Sequence, residues 1–178
     1  MKFHPTAFEG VLTVEPEPRH DDRGFLARTY CEHAFDAHGL NTRWAQQNHT
    51  STRQKGSVRG MHWQAEPLPE IKLVRCLVGR VLDVIVDVRP SSPTFGKWHA
   101  EELSAENMRA LYIPAGFAHG FQCLEEHCEL FYLMSEFYKP EGARGLRCDD
   151  PQIGIAWPLP VINLSPRDAE LPGLDELS

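Results

Sequence analysis

The segment RVLDVIVDVRP, residues 80–90, constrains the fold more than any other part of the chain. Leu82, Val84, Val86 and Val88 fall on one face of an extended strand, while Val81 and Ile85 fall on the other with Asp83 and Asp87, because strand side chains alternate with a period of two. Just before it, KLVRCLVG (72–79) is a second run rich in strand formers, and Gly79-Arg80 reads as a hairpin turn between the two. ALYIPAGFAHGFQCL and CELFYLMSEFY supply further strands, punctuated by Pro114 and Gly116. Helices are expected only as short pieces in EHAFDAHG and SAENMRA, and the tail NLSPRDAELPGLDELS reads as an irregular segment or short helix laid over the surface. Many strands with closely spaced turn signals predict an all-β sandwich, barrel or jelly roll.

Length and composition narrow the function. At 178 residues the chain is expected to form a single domain over residues 1–178, with a core large enough to dispense with disulfides or a structural metal. The 14 prolines and 13 glycines are spread without a repeat or linker, so no domain boundary is marked. A formal net charge of -7 argues against nucleic-acid binding, which calls for a basic face. No apolar run approaches a membrane span, and MKFHPTAFEG carries no signal-peptide core. The five cysteines, Cys31, Cys76, Cys123, Cys128 and Cys148, are odd in number and scattered, which predicts reduced thiols in the cytoplasm. Cys123 and Cys128 bracket His127, but without a second ligand pair CLEEHC reads as a loop with a solvated acidic turn rather than a zinc site.

Chemistry centres on VRGMHWQ and IPAGFAHGF. The second has the pattern Pro-x-Gly-x-x-His, at Pro114, Gly116 and His119, which resembles the second motif of cupins, the small jelly-roll barrels. His62 lies where the first motif would be. A metal-binding cupin usually carries another histidine two residues on, and here that position is Gln64, whose neutral amide is a poor ligand for zinc or iron. His62 is then either a proton carrier near neutral pH or a hydrogen-bonded structural histidine.

The wider set of motifs decides between them. QQNHTS, RGMHWQ, KLVRCLVG, DVIVDVRPSSPTFGKW, LSAEN, YIPAGFAHGF, LFYLMSEFY, DDP, WP and LSPRD occur in an order and spacing that closely resemble the dTDP-4-dehydrorhamnose 3,5-epimerase family over nearly the whole chain. That resemblance implies an all-β, cupin-type jelly roll with a few short peripheral helices. It also implies an isomerase that uses neither metal nor cofactor, and a homodimer with exchanged N-terminal segments. The implied reaction inverts C3 and C5 of a nucleotide-linked 4-keto-6-deoxyhexose in a deoxysugar pathway.

Such a reaction needs a base beside the ketone, a partner for the enolate oxygen and an acid across the ring. By resemblance, His62 is the base, Asp168 the carboxylate that pairs with it, Lys72 the cation near the ketone and Tyr132 the acid. Arg23, Gln46, Asn48, Arg59, His119 and Tyr138 match positions that hold the nucleotide and sugar, and Asp83 is expected to orient His119. Each also has an ordinary reading: Lys72 as a solvated strand residue, Asp168 as a cap, Tyr132 and Tyr138 as packing aromatics. Leu26, Arg28, Leu133, Ala143 and Cys148 depart from the family's usual residues and are expected to bear on recognition, above all of the base. The alternatives are an epimerase of one centre or of a CDP- or GDP-linked sugar, a metal-dependent cupin oxygenase using His62, His119 and Glu66 or Glu70, and a non-catalytic carbohydrate-binding jelly roll.

Overall fold

A computed structural model describes residues 1–177. Among the described residues thirteen strands are formed. They are β1 (Lys2–Pro5), β2 (Leu12–Glu15), β3 (Arg19–Asp21), β4 (Gly24–Leu26), β5 (Gln46–Thr52), β6 (Val58–Gln64) and β7 (Lys72–Val78), followed by β8 (Arg80–Asp87), β9 (Trp98–Ser104), β10 (Ala110–Ile113), β11 (Phe117–Cys123), β12 (Cys128–Met134) and β13 (Ala143–Gly145). Helix α1 (Glu32–Asp36) precedes β5, and α2 (Pro166–Ala169) with a 3₁₀ turn (Leu174–Leu177) closes the chain. One sheet has the order β1-β2-β10-β7-β12-β5 and the other β13-β6-β11-β8-β9, while β3 and β4 form a separate ribbon. The two large sheets face each other as a cupin-like β-sandwich.

The alternation in β8 explains its double burial. Val81 and Ile85 join Val74, Leu111, Phe121 and Leu130 in the core between the sheets, whereas Val84 and Val86 pack outward under Met61, Leu146, Trp157 and the C-terminal residues Leu174 and Leu177. On the far side of the six-stranded sheet, α1 plants Phe35 against Val14, Leu73 and Tyr112. Val84, Ile85 and Phe35 are fully buried, so each contributes about 1.5–3 kcal/mol of apolar transfer.

Two expectations of local structure fail. Gly79 does not close a hairpin: β7 lies in the six-stranded sheet and β8 in the five-stranded one. Gly79 (φ +73°) turns a corner between sheets, where an added Cβ would sit 3.0 Å from the Cys128 Sγ and the His127 carbonyl. SAENMRA forms a tight link between β9 and β10 instead of a helix, with Asn107 N donating to Ser104 Oγ at 2.9 Å and Ser104 N to Asn107 Oδ1 at 3.1 Å. Serine and asparagine side chains that bond nearby backbone compete with helix hydrogen bonds. The motif SSPTFGKW also proves to be a fold element. Asp87, fully buried, accepts from Arg89 Nη2 at 2.7 Å, Ser92 Oγ at 2.5 Å and Thr94 Oγ1 at 2.6 Å, which fastens the loop to the end of β8.

Candidate active site

A pocket of about 880 Å³ opens between the sheets at one end of the sandwich. Of the ten residues singled out from the sequence, nine line it: His62, Lys72, Tyr132, Asp168, Gln46, Asn48, Arg59, His119 and Tyr138. Arg23 does not. It lies on the β3–β4 ribbon with its side chain 89% exposed, paired with Asp21.

The β6 wall owes its function to a bulge. His119 pairs with His62 and Phe121 with Arg59, so two steps on β11 span three on β6. Under strict alternation residues 59 and 62 would face opposite ways. The extra residue brings both to the pocket. Gly60 sits at this point with φ +121°, and a Cβ there would lie 2.5 Å from Gly120 Cα. Only glycine lets the two backbones approach so closely.

His62 Nε2 is 2.7 Å from Asp168 Oδ1, a carboxylate 7% exposed and carried by α2. Asp168 N donates in turn to the N-cap Ser165 Oγ at 3.0 Å, so the cap that starts α2 also holds the acid in place. Burial acts to raise the Asp168 carboxyl, but the hydrogen bond and charge of His62, with the Gly60 N–H and Ser165, outweigh it and keep the group below its ordinary value. With Nε2 committed, Nδ1 is the ring nitrogen free to exchange a proton with a ligand.

A second His–Asp pair lies deeper, as expected for Asp83: His119 Nε2 is 2.9 Å from Asp83 Oδ2. Tyr132 rises from β12 on the opposite wall, its ring centroid 6.4 Å from that of His119. Its hydroxyl donates to Thr50 Oγ1 at 2.8 Å. Burial pushes the phenol up to about 12, so it is protonated at neutral pH. Lys72 is neither solvated nor unpaired: its ammonium lies 3.0 Å from Glu70 Oε1 and donates to the His62 carbonyl at 3.1 Å. On the rim, Tyr138 N donates to Gln46 Oε1, which ties the aromatic loop to β5.

The donor set required by the oxygenase alternative is not assembled among the described residues. Glu70 is engaged with Lys72, and among the described residues no group of three His, Cys, Asp or Glu side chains is arranged to hold a metal. Gln64 is committed to backbone, donating to Leu68 O at 2.7 Å and accepting from Lys139 N at 2.8 Å. Cys128, buried at the end of the CLEEHC loop, donates to Arg80 O at 3.2 Å.

Matched against known proteins, residues 5–176 fit the family model described as dTDP-4-dehydrorhamnose 3,5-epimerase. The chain belongs to this family. It is 45% identical over 169 residues to the dTDP-4-dehydrorhamnose 3,5-epimerase of Shigella flexneri, covering 94% of this chain and 93% of that one. A 4-keto-6-deoxy sugar epimerase from the novobiocin biosynthetic gene cluster of Streptomyces spheroides superimposes with a TM-score of 0.95 at 38% identity, over 99% of this chain and 88% of that one. A 3,5-epimerase from Legionella pneumophila Philadelphia 1, solved with dTDP-4-keto-L-rhamnose, gives 0.93 at 37% identity, over 99% and 96% of the two chains. This epimerase is thus an isomerase of deoxysugar biosynthesis.

Within that frame the departures sort differently from expectation. Leu133 packs on the outer face of its sheet near Phe35, and Cys148 lies in the outer core near Met61 and Leu146, so both bear on packing instead of recognition. Ala143 does line the pocket, while Leu26 and Arg28 are exposed on and beside the ribbon. The sequence reading missed Arg167 and Asn163, both at the pocket. Arg167 directly precedes Asp168 in LSPRD, and that adjacency was the available signal.

Proposed function

We propose that this epimerase inverts C3 and C5 of a dTDP-linked 4-keto-6-deoxyhexose by enolate chemistry, without metal or cofactor. The observation that carries the reading is the placement of a His–Asp pair on one wall and a protonated tyrosine on the other. His62 belongs to the five-stranded sheet and Tyr132 to the six-stranded sheet. A sugar ring held between them can lose a proton on one face and regain one on the other, and an inversion requires that arrangement.

The steps balance within the chain's own groups. His62 Nδ1 takes the proton from the carbon beside the ketone, and Asp168 stabilises the resulting imidazolium. The electron pair of the broken C–H bond moves onto the ketone oxygen, where the Lys72 ammonium offsets the developing charge. The Tyr132 hydroxyl then returns a proton to the opposite face, and exchange with solvent restores both groups. Arg59, and Arg23 supplied by a second copy, bind the diphosphate, to which planar guanidinium donors are suited.

The proposal includes a homodimer with exchanged N-terminal segments. The β3–β4 ribbon joins neither large sheet, and it exposes Phe25 at 57% and Leu26 at 76%. A second copy covering those side chains would also carry Arg23 to the neighbouring pocket. A cytoplasmic site of action is part of the same reading, supported by five cysteines that form no disulfide. Among the described residues no helix is long and apolar enough to cross a membrane.

The test is deuterium uptake from heavy water into dTDP-4-keto-6-deoxyglucose by chelator-treated protein, located by NMR. Label at C3 and C5, lost in His62→Ala, is expected. Label at one carbon would reduce the activity to a mono-epimerase, and no label would redirect the reading to CDP- or GDP-linked sugars.

A further inference from the structure

The pocket lining contains two carboxylates among the described residues, and each is paired with a different basic side chain. Asp168 serves His62. Glu70 serves Lys72, in a pair whose side chains are 9% and 8% exposed. The two pairs are joined, because Lys72 also donates to the carbonyl of His62 itself.

The backbone around Glu70 is built to hold it. Ile71 N donates to Ser135 Oγ at 2.7 Å, and Ser135 N donates back to Ile71 O at 3.0 Å. This double clamp fixes the residue between Glu70 and Lys72, so two side chains spaced i and i+2 project to the same side of an extended segment.

We infer that Glu70 is a positioning residue for the reaction, acting through Lys72. The inference rests on the reading of Lys72 given above. An ammonium has three donors. Glu70 and the His62 carbonyl take two and direct the third into the pocket, toward the ketone oxygen. Without Glu70 the lysine stem is free to swing toward the diphosphate, the strongest anion the pocket would hold, and its charge leaves the carbon centre being inverted. Because the Glu70 carboxylate is engaged by Lys72 and acts through its placement, its loss lowers kcat and leaves KM nearly unchanged.

The test measures kcat and KM for dTDP-4-keto-6-deoxyglucose in the intact protein and in Glu70→Gln, Lys72→Met and the double variant, with slow turnover followed by deuterium uptake. Glu70→Gln is nearly isosteric and keeps an acceptor, so it is the variant least prone to misfold. It is expected to lower kcat about tenfold, the scale of a small misplacement of a catalytic group, with KM within about twofold. In the Lys72→Met background the same change is expected to have no further effect. An unchanged kcat in Glu70→Gln, or an equal loss in both backgrounds, would overturn the assignment. Failure of the unmodified protein to turn over the substrate would instead overturn the functional reading, and the role of Glu70 with it.

Discussion

Replacing Asp168 by Asn tests the proton-transfer reading most directly. The carboxylate oxygen 2.7 Å from His62 Nε2 can only accept, so it selects the tautomer with its proton on Nε2 and leaves Nδ1 bare toward the pocket. An amide at the same place can donate to Nε2, which moves the ring proton to Nδ1, where the substrate proton would have to go. The imidazolium formed during catalysis also loses its counter-charge. In the Ser-His-Asp arrangement, where an Asp plays the same part, this exchange costs about 10⁴ in kcat, or about 5 kcal/mol. We expect a loss of about 10²–10⁴ in deuterium uptake at both C3 and C5. Stability falls less. One charge-assisted hydrogen bond in a buried site contributes about 1.5–3 kcal/mol, part of which an amide recovers, so Tm should drop by roughly 2–8 °C. The pH dependence of stability has a definite sign. The folded Asp168 carboxyl is held below its unfolded value, so its contribution is fully present above the unfolded pKa and is lost as pH falls through the lower, folded one. Asp168→Asn should lack that acid-side component. Activity within tenfold of the unmodified protein, with a normal fold, would refute the base assignment.

Tyr132→Phe removes the acid but not the base, so the epimerised product should fall about 10²-fold or more. Stereochemical analysis by NMR would check it, and undiminished inversion would remove Tyr132 from the mechanism. Gly60→Ala places a Cβ 2.5 Å from Gly120 Cα at a positive φ. A cost of about 2–4 kcal/mol and a Tm lower by roughly 5–15 °C are expected in a thermal melt, with activity reduced because the β6 bulge must open. Asp87, fully buried and held down to about 2 despite its burial by Arg89, Ser92 and Thr94, should contribute about 2 kcal/mol above pH 4 and lose it as pH falls through 2. Denaturant titrations of Asp87→Asn between those pH values should show a flatter stability curve than the parent.

The residues of the site were legible where chemistry is written in side-chain type and order. His62, Asp168, Lys72 and Tyr132 occur in motifs whose spacing matches a family, and all four line one pocket. Arg167 was legible in principle, beside Asp168. Glu70 was not, because LPEIKLV gives no sign that its carboxylate and Lys72 turn toward each other rather than toward water.

What the amino-acid sequence determined by itself was local. Alternating apolar positions made β8 a strand and assigned Asp83 to the same face as Ile85, since a period of two is a property of the extended chain alone. The tertiary structure decided which strands meet. It made Gly79 a corner between sheets instead of a hairpin, because β7 finds its partners in β10 and β12 and β8 finds its own in β9 and β11. It brought Asp168 to His62 across 106 positions of sequence. It also set Arg59 and His62 on one side of β6 through a bulge that exists only against β11. Periodicity reports which face a residue occupies, whereas the partner of that face is fixed by packing among segments distant in the chain, and this enzyme's chemistry resides at those junctions.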